Sequence, residues 1–97
     1  MTEAKGPLKI VFLQRGNIVV GNVSMEGDLL VISNAYVIRR WGTTHGIGEI
    51  ALGGPTAFTK LDKLGETMAH ILTVVQIIRC DASKWIEGVV ADAAARR

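Results

Sequence analysis

The residues best suited to act on a ligand fall in one interval, residues 39–62, which reads RRWGTTHGIGEIALGGPTAFTKLD. Arg39 and Arg40 offer guanidinium forks for phosphate oxygens, and Trp41 offers a flat face on which a base can stack. Thr43 and Thr44 add hydroxyls. Gly42 and the glycines that follow let backbone N–H groups come close to an anion. His45 and Glu49 bring an imidazole and a carboxylate into the same stretch. After the break at Gly53, Gly54 and Pro55, the residues Thr56, Thr59, Lys60 and Asp62 repeat the small polar character, and Lys60 adds a positive charge if the loop folds back. These are the parts of a phosphate-and-base pocket. An alternative fits the same spacing: Trp41 plugs a core, the arginines pair with Glu26, Asp28 or Glu49, and the glycines merely turn corners, with the second patch a solvated loop.

Catalytic chemistry is poorly served by the same residues. The glycines of GTTHGIG lack the GKS or GKT terminus of a P-loop and the GxGxxG of a dinucleotide fold. His45, His70 and Cys80 stand at no metal-ligand spacing, and the sequence contains no CxxC or HxxxH pair. His70, within MAHILTV, reads as an ordinary strand histidine. Thr43, Thr44 and His45 are adjacent, but adjacency along the chain is not the geometry of a nucleophile and its base. The expectation is a protein that binds without cleaving, with no metal, no cofactor and no catalytic residue.

The elements that must position this interval come from a short chain. Its 97 residues make one domain, 1–97, and with 48% of them apolar but only 5% aromatic the core must be built of Val, Ile and Leu. A net charge of +2 does not call for a nucleic acid or a membrane surface, so a nucleic-acid partner is not expected on charge. The lone Cys80 suits a reducing compartment, and the opening MTEAKGPLKI has no signal-peptide core. A soluble cytoplasmic protein is expected, with self-association helping so small a domain.

LKIVFLQ, IVVGNVS, LLVIS and YVIRRW read as four short strands, separated by Arg15-Gly16-Asn17, Glu26-Gly27-Asp28 and Ser33-Asn34-Ala35. Alternation on the last places Val37, Arg39 and Trp41 on one face and Tyr36, Ile38 and Arg40 on the other. HGIGEIALGG predicts a short helix carrying Ile47, Ile50 and Ala51, ended at Gly53-Gly54-Pro55. TAFTKLDKLGET reads as loop and ILTVVQII as a buried strand. Asp81 is placed to cap a terminal helix, DASKWIEGVVADAAARR, with Trp85, Ile86, Val89, Val90 and Ala93 on one stripe and Arg96 and Arg97 at the negative end of its dipole. The fold class is α+β: a small, mostly antiparallel β-barrel or sandwich with a short mid-chain helix and a C-terminal helix.

The run NAYVIRRWGTTHGIGEIALGGPTAFTKLD, with the later ILTVVQIIRCDASKW, resembles a family of small phage-encoded β-rich proteins. The resemblance covers roughly the middle three quarters of the chain and is most specific at RxWGTTxGxGE. In size and in the character of this segment the chain is also similar to viral sponge proteins, which sequester the cyclic-nucleotide signals of CBASS-type anti-phage defence. That likeness implies a homo-oligomer with recessed pockets between subunits, working in the host cytoplasm and binding a cyclic dinucleotide such as 3′,3′-cGAMP without cleaving it. Arg39, Arg40, Trp41, Thr43, Thr44, His45 and Glu49 would be its pocket residues, joined by Thr56, Thr59 and Lys60. The alternative function is a virion-associated structural or accessory β-barrel whose irregular stretch is a contact loop.

Overall fold

The computed structural model describes residues 6–96, in which the β-branched runs become β1 (Leu8–Leu13), β2 (Ile18–Glu26), β3 (Leu29–Arg40), β4 (Lys60–His70) and β5 (Val74–Arg79). All pair antiparallel in a single sheet of order β4-β3-β2-β1-β5. The polar opening at residues 1–5 and the expected helix-end Arg97 lie outside the described residues.

The first two hairpins follow the turn residues. Arg15 and Gly16 both take positive φ, and the Leu13 N–H donates to Asn17 O at 2.8 Å. Gly27 does the same between β2 and β3, at φ +59°. The expected break at Ser33-Asn34-Ala35 does not end a strand. β3 runs through it with a shift of register and Asn34 at φ +52°, a bulge that bends the sheet instead of interrupting it. Gly21 on the neighbouring strand makes room, since a Cβ there would lie 2.5 Å from Ile32 Cγ2 and 2.9 Å from Ser33 O.

Two readings of the second half need correction. TAFTKLDKLGET is not a loop: from Lys60 onward it is β4, whose charged side chains face solvent on a strand with one neighbour only. ILTVVQII is not a buried strand either. Its first three residues form a 3-10 turn, which His70 holds by accepting the Leu72 N–H at Nδ1, and β5 is the opposite edge of the sheet, with Val75 68% exposed. Because β4 and β5 end the sheet without pairing to each other, the expected barrel is an open, bent sheet.

One face of that sheet is covered by helices. α1 (Gly48–Gly53) buries Ile50 and Ala51, as its spacing requires, and ends at Gly54. α2 (Glu87–Ala95) is shorter than expected, because Asp81 caps a separate 3-10 turn, Ala82–Lys84, and Ile86 is extended. Trp85 and Ala93 are buried and Val90 packs beside them, but Ile86 points outward, so the predicted stripe is only partly used. With Ile10, Val20, Ile38 and Leu61 of the sheet these residues form the main core. The other face buries Val11, Val19, Val23, Leu30, Ile32 and Ala35 where the bent sheet curls over itself. No helix among the described residues is long and apolar enough to cross a membrane.

Candidate functional site

The site is built on the connection between β3 and β4. Arg40, the last residue of β3, stands opposite Lys60, the first of β4, so residues 41–59 leave and re-enter the sheet side by side. Directly beyond that pair, the backbone of Trp41 and Gly42 presses on that of Phe58 and Thr59. Gly42 has φ +67°, and a Cβ on it would lie 2.3 Å from Phe58 C and 2.5 Å from Thr59 N. Only glycine fits so close an approach.

Two threonines peg the contact. Thr59 Oγ1 donates to Trp41 O and Thr56 Oγ1 to Gly42 O, each at 2.6 Å. The same hydroxyls accept the N–H groups of Thr56 and Phe58, at 2.8 and 3.1 Å, which closes the 56–59 turn on itself. From the far end of the chain Arg96 Nη1 donates to Thr56 O and Thr59 O, both at 2.8 Å. Arg39 completes the frame, with Nε 3.0 Å from Asp62 Oδ2 and Nη2 donating to Arg96 O at 3.0 Å.

Above this frame lies a depression of about 510 Å³ lined by Arg39, Arg40, Trp41, Gly42, Thr43, Thr44 and Phe58. Trp41 is 38% and Phe58 69% exposed, so two aromatic rings stand at its surface. The Arg40 side chain has no hydrogen-bond or ion-pair partner among the described residues. The pairing of both arginines with Glu26, Asp28 or Glu49 is therefore not what forms: Arg39 takes Asp62, and Arg40 keeps its guanidinium for the depression.

The sequence-predicted candidates divide. Arg39, Arg40, Trp41, Gly42, Thr43 and Thr44 come together as one lining. His45 is exposed and Glu49 lies in the first turn of α1, neither of them on the depression. Thr59 is fully buried and its hydroxyl is spent on Trp41, so it holds the loop and does not meet a ligand. Thr56 serves the same end, and Lys60 belongs to the start of β4. Phe58 and Arg96 were missed, and Asp62, expected in the second polar patch, pairs with Arg39. Phe58 had a signal, being an aromatic placed among small polar residues after Gly-Gly-Pro, whereas nothing local links Arg96 to a turn 37 residues before it. No group of three or more metal-ligating side chains occurs among the described residues.

No protein-family model matches the chain, and no characterised sequence does so. Its backbone does match a solved structure, that of a heptameric archaeal Sm protein studied for its implications for the eukaryotic snRNP core. The fold is similar to that of Sm proteins. The superposition has a TM-score of 0.51 at 17% identity and covers 78% of this chain and 88% of the other. At that identity the Sm likeness speaks for the fold alone. Cys80 lies apart from the site, half-buried against β1, where desolvation pushes its thiol up to about 11 against a weaker opposing hydrogen bond from the Ile10 backbone.

Proposed function

We propose that this chain is a non-catalytic, ring-forming binding protein that holds a phosphate-and-base ligand in the 39–44 depression, with Arg40 on phosphate and Trp41 and Phe58 against bases. The observation that carries the reading is the meeting of an uncommitted guanidinium with two exposed aromatic rings on a pegged, rigid loop. Self-assembly is supported by the two sheet edges. Among the described residues β4 and β5 are unpaired on their outer sides, and they carry exposed Leu64, Met68, Val75 and Ile77. Joining the β4 edge of one copy to the β5 edge of the next is a head-to-tail contact, which closes into a ring if the rotation permits. The Sm-like neighbour is a heptamer.

Short single-stranded RNA is the leading ligand, on the fold and the stacking rings and against the expectation from a net charge of only +2. Stacking platforms repeated around a ring suit successive bases of one strand, and the fold is shared with a protein studied in the context of the snRNP core. The second reading is capture of a cyclic dinucleotide such as 3′,3′-cGAMP, in the manner of a phage sponge. The lining of Arg39, Arg40, Thr43 and Thr44 beside Trp41 suits it, since it sets phosphate-binding groups next to a stacking face.

Native mass spectrometry together with titration of oligo(U), oligo(A) and a panel of cyclic di- and trinucleotides tests the proposal. The expected result is a closed oligomer that binds one of the two ligand classes at micromolar concentration or better. Trp41→Ala should lose roughly 5- to 150-fold in affinity while keeping its circular dichroism spectrum, as for removal of one base-stacking ring. An inert protein across the whole panel, or a strict monomer, overturns the reading.

A further inference from the structure

We infer that Arg96 is a positioning residue for the 39–44 depression: it fixes the spacing of the two aromatic rings by clamping the turn that presents Phe58. Its ligand arm rests on the function proposed above, but its geometric arm does not. Arg96 reaches the site from the end of α2 and donates one nitrogen to the carbonyls at both ends of the 56–59 turn. Those two residues in turn donate their hydroxyls to the carbonyls of Gly42 and Trp41. On the other side the Arg96 carbonyl accepts from Arg39, whose neighbour along β3 is Arg40. One residue thus ties together both walls of the depression without lining it.

The bonds involved are charge-assisted and partly buried, the class for which loss of the donor is felt most. The Phe58 ring does not hold the turn, being largely exposed. Without the clamp the turn keeps its threonine pegs and the Thr59 N–H bond to Thr56 O at 3.3 Å, and Phe58 loses its fixed distance from Trp41. The element that delivers Arg96 is lightly anchored, for Ala93 is the only residue of α2 that is fully buried among those described. Docking of α2 and occupancy of the depression are therefore coupled, and each must favour the other by the same factor.

The test compares wild type, Arg96→Ala and Arg96→Lys by residue-resolved amide hydrogen exchange without ligand, then by titration with oligo(U) and 3′,3′-cGAMP. In Arg96→Ala the amides of Thr56, Phe58 and Thr59 should exchange on the order of tenfold faster or more, the loss expected for charge-assisted bonds, while those of β1 and β2 stay at wild-type rates. Affinity for whichever ligand wild type binds should fall by a similar factor, and Arg96→Lys, which keeps a cationic donor, should recover part of both. Unchanged exchange at the 56–59 turn overturns the inference. So does acceleration spread over the whole sheet in both variants, which would make Arg96 a staple of the fold. If wild type binds neither probe, the proposed function falls, and the exchange comparison still decides the role of Arg96.

Discussion

Gly42→Ala is the substitution that presses hardest on the geometry of the site. The new Cβ meets Phe58 C at 2.3 Å, Phe58 O at 2.5 Å and Thr59 N at 2.5 Å, all of them backbone atoms that cannot rotate away. Holding a non-glycine residue at φ +67° adds about 1–2 kcal/mol of strain. Forcing the two backbone segments apart adds about 1–3 kcal/mol by the usual cost of overpacking, for a total of roughly 2–5 kcal/mol. Against a stability of about 5–15 kcal/mol the chain still folds, but its melting temperature should drop by roughly 10–40 °C. The threonine pegs to Trp41 O and Gly42 O are the contacts that give way first, so ligand binding should be lost together with the stability. Thermal denaturation followed by circular dichroism reads the first effect and titration the second. Gly48→Ala is the control: its Cβ meets nothing within 4 Å and its φ is not positive, so it should be neutral or slightly stabilising. Equal melting temperatures for wild type and Gly42→Ala would refute the close approach of 41–42 to 58–59, and with it the frame of the site.

Three further outcomes follow from single contacts. Gly88→Ala, in α2 with open space around it, should stabilise the protein by up to about 1 kcal/mol, read as a rise in melting temperature. Asp62→Asn should cost less than about 1 kcal/mol, because the Arg39–Asp62 pair is some half exposed and screened by water; a larger loss in urea unfolding would mean the pair holds the frame more firmly than its exposure allows. Cys80, raised from 9.0 to about 11 by burial, should be alkylated by iodoacetamide at pH 8 on the order of a hundredfold more slowly than an open thiol. The unfolded chain gives up that proton first, so between pH 9 and 11 the same group should make stability fall as pH rises, and Cys80→Ala should flatten that slope.

What the sequence made legible was whatever local pattern controls. The turns at Arg15-Gly16-Asn17 and Glu26-Gly27-Asp28, the short helix ending at Gly54, and the gathering of residues 39–44 all rest on residue type within a few positions, and all are present. The failures lie where partners distant in sequence decide. A charged run such as KLDK becomes a strand because β3 lends it a ladder, and ILTVVQII stays exposed because no strand among the described residues lies beyond β5. Asn34 is tolerated inside β3 because Gly21 across the sheet leaves space for the bulge. Gly42, expected to admit a ligand, admits the chain itself at Phe58, and Gly54, expected to end the helix, also makes room for Lys84 O, which a Cβ would meet at 2.2 Å. Arg96, read as a charge on a helix dipole, is spent on two carbonyls of a loop that no spacing rule connects to it.

The two ligand readings make opposite demands on assembly, and that separates them. The seven residues lining the depression lie within residues 39–58, and if they alone make the grip, a small cyclic dinucleotide is held by a lone subunit. One guanidinium and two rings per subunit are a weak grip on a flexible strand, and a strand gains affinity only by engaging neighbouring copies. Linked sites of that kind exceed a single one by about 10²- to 10⁴-fold. A lysine on each outer edge, Met68→Lys on β4 and Val75→Lys on β5, places charge where the next subunit would pair, and both positions are exposed enough to leave the isolated fold intact. The double variant should be monomeric by native mass spectrometry. If RNA is the ligand, its binding should collapse by that factor, and the salt dependence of what remains should become shallower as fewer phosphates are held. If a cyclic dinucleotide is the ligand, its affinity should survive within a few-fold. A monomer that binds oligo(U) as tightly as wild type would sink the ring-and-strand mechanism even with every residue of the depression confirmed.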